Sequence, residues 1–102
     1  MDEYPSDGEL KIATEYQVTN DNFHIFMAYI KSIWWCPNWG WTRDEGTYRI
    51  STGGWSGNED VIGALMRNSV FWLMYWKQSR VGGHYIFSLS RGDWQNAMPK
   101  GE

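Results

Sequence analysis

Cysteine is almost missing from this chain. Cys36 stands alone among 102 residues, so no disulfide can form within one copy. A domain this small in an oxidising compartment usually carries several, and a reducing, cytoplasmic setting is expected. Long apolar runs are missing too. No stretch approaches the roughly 18 residues of a membrane span, and no membrane partner is expected. The opening Met1-Asp2-Glu3-Tyr4-Pro5 is acidic where a secretory leader needs a basic stretch, so no leader is expected. A basic excess is also lacking. Nine Lys and Arg against twelve Asp and Glu give a net charge of −3, which excludes the electrostatic footprint of a duplex DNA binder. The acidity is local: residues 1–22 hold six acids against Lys11, while residues 23–102 hold six acids against eight bases.

Catalytic motifs are missing as well. There is no P-loop, no dinucleotide fingerprint and no His-Glu-x-x-His pattern. His24, Cys36 and His84 show no metal-ligand or nucleophile spacing. Cys36, between Trp35 and Pro37, reads as a small buried thiol. Asp44-Glu45 and Glu59-Asp60 are adjacent in sequence and do not converge on one point. No catalytic residue, metal or cofactor is expected.

What the chain has in excess is tryptophan, eight residues in all, within 18% aromatics. That rules out long disorder. It also overfills one small domain, which leaves much of its surface exposed. Some indoles should therefore face a ligand, a partner or water.

The length fits a single domain over residues 1–102, with residues 1–8 and 91–102 as loose termini. Leu10, Ile12, Thr14, Tyr16 and Val18 alternate with more polar neighbours and favour a strand. Ser6-x-x-Glu9 also fits a capping box opening a short helix; the alternation favours the strand. Phe23, Phe26, Met27, Ile30, Ile33 and Trp34 recur at helical spacing and predict a helix over 21–35, ended by Pro37. Asp44-Glu45-Gly46 reads as a three-residue hairpin loop, its glycine taking a positive φ, between strands at 39–43 and 47–52. Ser56-Gly57-Asn58-Glu59 matches a capping box, and a second helix should run from near Gly57 to about Ser79. Its stretch Val70–Trp76 is apolar all round, more than one helix face can bury. Gly82-Gly83 reads as its C-cap, and a last strand spans 84–90. The order is βαββαβ, an α+β ferredoxin-like antiparallel sheet with two helices on one face.

In that topology the three-residue loop pairs Trp41 with Arg49 and Trp39 with Ser51. The open sheet face would then carry Lys11, Trp39, Trp41, Arg43, Arg49, His84, Ile86 and Ser88. Indoles interleaved with bases make a stacking platform for nucleobases; the bland alternative is two such faces buried against each other in a dimer. A second candidate is the glycine-rich start of the second helix, Gly53, Gly54, Trp55, Ser56 and Asn58. Backbone N–H groups there could hold an anion, with Trp35, Asn38, Arg91 and Trp94 gathered around. The bland alternative is an ordinary cap, and Glu59 and Asp60 would repel an anion. His84, with Arg80, is expected at the opposite end, near Thr19 and Asn20.

Ser51-Thr52-Gly53-Gly54-Trp55-Ser56-Gly57-Asn58-Glu59 within Tyr48–Met66, the later Phe71-Trp72 and Tyr75-Trp76 pairs, and Gly82-Gly83-His84-Tyr85 resemble a family of small uncharacterised proteins of phage and prophage genomes. The likeness covers about 40 residues of the second half. It implies action in a bacterial cytoplasm during infection, where small phage proteins bind host proteins or soak up nucleotide signals. The expected function is a non-catalytic, homo-oligomeric binding protein that captures a small nucleotide-like anion, possible counter-defence being what the resemblance adds. The alternative is a protein–protein inhibitor or oligomerising subunit that uses exposed Trp and the apolar end of the second helix.

Overall fold

A computed structural model describes residues 4–89 of the chain. The expectations placed on the loose termini, on Arg91 and on Trp94 lie outside the described residues. The elements run α1 (Asp7–Glu15), α2 (Phe23–Ser32), β1 (Trp41–Asp44), β2 (Thr47–Ser51), α3 (Ser56–Arg67), α4 (Ser69–Tyr75), β3 (Trp76–Arg80) and β4 (His84–Ser88). The fold is α+β, with a four-stranded antiparallel sheet in the order β1-β2-β4-β3. The element order is ααββααββ, which replaces the expected βαββαβ.

The first correction is at the N-terminal side. Residues expected as a strand form α1, because the Ser6 capping box closes. Ser6 Oγ accepts from Glu9 N–H at 3.1 Å, and the Glu9 carboxylate accepts from Ser6 N–H at 2.8 Å. Two helix-end donors are thereby satisfied at once. The alternation goes unused: Ile12 is half exposed, while Ala13 is buried in the core with Leu10 packed against it. α2 forms close to its expected span, burying Phe23, Phe26, Met27 and Ile30.

The second correction is the long helix, which Asn68 divides. Its Oδ1 accepts from Phe71 N–H at 3.2 Å and caps α4. Its Nδ2 donates to the carbonyls of Ala13 at 3.0 Å and Tyr16 at 2.8 Å, at the end of α1. The surplus apolar surface of Val70–Trp76 is then shared out. Phe71 and Tyr75 point into the core, and the chain turns extended at Trp76 to become the edge strand β3. Gly82 and Gly83 are the β3–β4 turn, not a helix cap, with φ of 99° and 81°. A Cβ on Gly83 would collide with Thr52 Oγ1.

The third correction is register. The hairpin turn is Glu45-Gly46, one residue shorter than expected, and Glu45 takes the positive φ of 56° in place of the glycine. Trp41 therefore pairs with Ile50 and Arg43 with Tyr48. A slip of one residue moves every side chain to the other face. Trp41 joins Tyr48 and buried Trp34 on the core side, and Arg43 lies over the Tyr48 ring at 5.5 Å. The expected open-face platform of Trp39, Trp41 and Arg43 does not form. Arg49, His84, Ile86 and Ser88 do share a face, through the pairs Arg49↔Ile86, Ser51↔His84 and Thr47↔Ser88.

The core is a chain of rings. Phe23 meets Tyr75 at 4.6 Å, Phe26 meets Phe71 at 5.2 Å, and Phe71 meets Phe87 at 5.3 Å between centroids. α2 and α4 thus lay aromatics on the sheet, while α1 packs on α3. Among the described residues no helix is long and apolar enough to cross a membrane.

Asn68→Ala removes three buried hydrogen bonds at once. Two carbonyls and one N–H lose their partner, so denaturant unfolding should show a loss of about 2–4 kcal/mol.

Candidate functional site

Thr52-Gly53-Gly54-Trp55 turns the chain from β2 into α3. Gly53 and Gly54 take φ of 67° and 76°, a region open to glycine at little cost. Trp55 N–H donates to Thr52 O at 3.2 Å, Gly54 N–H to Thr52 Oγ1 at 3.2 Å, and Thr52 N–H to Gly83 O at 3.0 Å. That last bond brings the Gly82-Gly83 turn to this end of the molecule, not to the end near Thr19 and Asn20.

The N-cap of α3 is Trp55, and no side chain caps it. Ser56 is the first helical residue, so the expected Ser56–Glu59 capping box does not form. The first-turn N–H groups and the positive end of the helix dipole are left without a side-chain acceptor.

Three indoles stand around this turn. Trp35 meets Trp55 edge-on at 4.2 Å and 85°, and Trp39 meets Trp55 at 5.6 Å and 72°. A Cβ on Gly53 would lie 2.8 Å from the Trp55 ring and 3.0 Å from Trp39, so glycine here admits both rings. Trp39 is 53% exposed, and over Gly54 the space is open.

Asn58 is fully buried and holds the cluster together. Its Oδ1 accepts from Trp35 N–H at 2.8 Å, and its Nδ2 donates to Trp35 O at 3.1 Å and Thr52 O at 3.3 Å. With those bonds made, it is a positioning residue and not a ligand contact.

The structure therefore brings together Trp35, Trp39, Gly53, Gly54, Trp55, Ser56 and Asn58. It does not bring in Trp41, which packs on the core, or Arg49, which lies on the other sheet face. His84 also lies on that other face, with Nδ1 2.6 Å from Ser51 Oγ across the β2–β4 pair. Cys36 is exposed with φ of 55°, not a buried thiol. Among the described residues no three potential ligands gather to hold a metal.

Two features escaped the sequence. A groove of about 400 Å³ runs between residues 14–18 and 67–70; it exists because Asn68 breaks the helix there. The other is a pair from α2 and β2: His24 Nδ1 lies 2.7 Å from the Tyr48 hydroxyl. Burial, and then the Arg43 charge, pushes the His24 pKa below its ordinary 6.5. Burial raises that of Tyr48, with Arg43 acting the other way. Nothing in the spacing of residues 24 and 48 announces the contact.

The His24 shift has a pH consequence. The unfolded chain takes up a proton near pH 6.5, and the folded ring only at lower pH. Stability is complete above that value and falls as pH drops through it, levelling once the folded ring protonates. Thermal melts between pH 7.5 and 5, taken at steps of about half a unit, should show a steeper decline for the wild type than for His24→Gln.

Comparison of the chain with family models, curated proteins and solved structures finds no match.

Proposed function

We propose that the chain is a non-catalytic binding protein that captures a small anionic, base-containing ligand at the start of α3, in a counter-defence role of the phage type. The observation that carries this reading is the uncapped first turn of α3 standing beside a half-exposed Trp39. The ligand's phosphate accepts from backbone N–H groups of the first turn, and its base stacks on the Trp39 ring.

Magnitudes decide which contact leads. A base stacked on an aromatic ring contributes about 1–3 kcal/mol. A charge at a helix end contributes only about 0.3–1 kcal/mol when exposed. The Glu59 carboxylate, in the same first turn, opposes an anion and offsets part of the second term. Stacking is therefore the main source of affinity, and nucleotides should bind where inorganic phosphate does not. The resemblance to phage-encoded proteins favours a nucleotide signal of the host as the ligand class.

Titration of tryptophan fluorescence with mono- and cyclic dinucleotides tests this. At least one nucleotide should quench the wild type. Trp39→Ala should weaken binding about 5- to 100-fold without changing the fold, since that ring is exposed. Arg49→Ala, on the other sheet face, should leave the affinity unchanged. Silence across the nucleotide panel, or a Trp39→Ala variant that binds as the wild type does, overturns the reading.

A further inference from the structure

The sequence SVFWLMY of α4 carries no charge. Phe71 and Tyr75 are buried beneath it. On the opposite side Val70, Leu73 and Met74 are 56%, 85% and 47% exposed. Their spacing of three and four residues sets them on one helix face. Met66, also exposed, lies in the last turn of α3 just before it. Scattered apolar side chains on a surface need no explanation, but a contiguous stripe does.

We infer that this face of α4 is the contact of a two-fold homodimer. The inference is independent of ligand capture at the start of α3. The exposed side chains present roughly 300–400 Å² of apolar surface, the size of patch that marks interaction sites on small proteins. A standard interface buries about 800 Å² per partner, apolar at its centre and polar at its rim. The stripe supplies such a centre, and Arg67 and Ser69, both exposed, supply rim.

A second copy fits this face better than a charged partner. In a two-fold contact the same patch meets itself, and here no charge meets its like at the centre. The bases stand at the ends, Arg67 before Val70 and Lys77 after Met74. Antiparallel pairing of two copies brings these ends near each other at the rim. Added salt screens that repulsion and should tighten the dimer. An anionic lipid surface, drawn by the same two bases, would instead be released by salt.

Light scattering tests the inference, at protein concentrations from about 5 to 200 µM, a range that brackets micromolar association. The wild type should approach twice the chain mass of 12.0 kDa, at lower concentration in higher salt. Leu73→Glu should stay at the single-chain mass throughout, with an unchanged circular dichroism spectrum because the side chain is 85% exposed. In a Cys36→Ser background, Leu73→Cys should oxidise to a linked dimer. Val81→Cys, fully exposed on the β3–β4 turn, should stay unlinked over the same time. A wild type at the single-chain mass over the whole range overturns the proposal. So does a Leu73→Glu variant that keeps the doubled mass, or equal linking at Leu73 and Val81.

Discussion

The buried amide of Asn68 is the constraint on which the arrangement depends. Its one oxygen and two hydrogens are all engaged, the oxygen capping α4 and the hydrogens closing the carbonyls at the end of α1. An unpaired amide in this position would destabilise the fold, so the three bonds stand or fall together. The break they impose decides where the apolar surface after it goes. A helix continued from α3 would have to hide Val70 through Trp76 on one face. With the break, Phe71 and Tyr75 reach the sheet, Trp76 enters β3, and Val70, Leu73 and Met74 are left outside. The core and the exposed stripe have the same cause.

Asn58 does the equivalent work at the other end of α3. It bonds both main-chain groups of Trp35 and the carbonyl of Thr52. The loop after α2 and the turn before α3 are thereby held in fixed relation, with their indoles edge to face. A ligand arriving there meets a site already organised, and little of its binding energy goes into ordering loops. The side chain that looked like a ligand contact in the sequence is the one that builds the site.

The sequence carried two Ser-x-x-Glu boxes, and they resolved in opposite ways. At Ser6 the box closes and overrides the two-residue alternation of Leu10 to Val18, since a strand there would have needed a partner strand and α1 needs only α3. At Ser56 it stays open, because the turn through Gly53 and Gly54 makes Trp55 the cap and shifts Ser56 into the helix. A four-residue pattern cannot report which residue the preceding turn will deliver to the cap position. The hairpin was legible for a similar span but not in register: Asp44-Glu45-Gly46 advertised the turn, yet Glu45 took the left-handed conformation and shortened it by one. That single residue moved Trp41 and Arg43 onto the core side. The glycine-rich start of α3, with Trp35 and Trp55 beside it, was legible because glycine marks backbone that side chains would obstruct. The His24–Tyr48 contact was not, because only the packing of α2 on β2 creates it.

The indoles divide between these two regions. Trp34 is buried, and its edge-on contact with Trp41 belongs to the core. Trp35, Trp39 and Trp55 meet edge to face around Gly53, so their rings occupy one another, and Trp39 is the one left exposed to a flat partner. Trp72 and Trp76 stack nearly parallel at 5.6 Å where α4 passes into β3, adding rigid apolar bulk to the element that carries the exposed stripe. α3 separates the two regions by its own length, about 18 Å for twelve residues. A contact made through α4 therefore leaves the first turn of α3 uncovered, and association of two chains is compatible with one open ligand site on each.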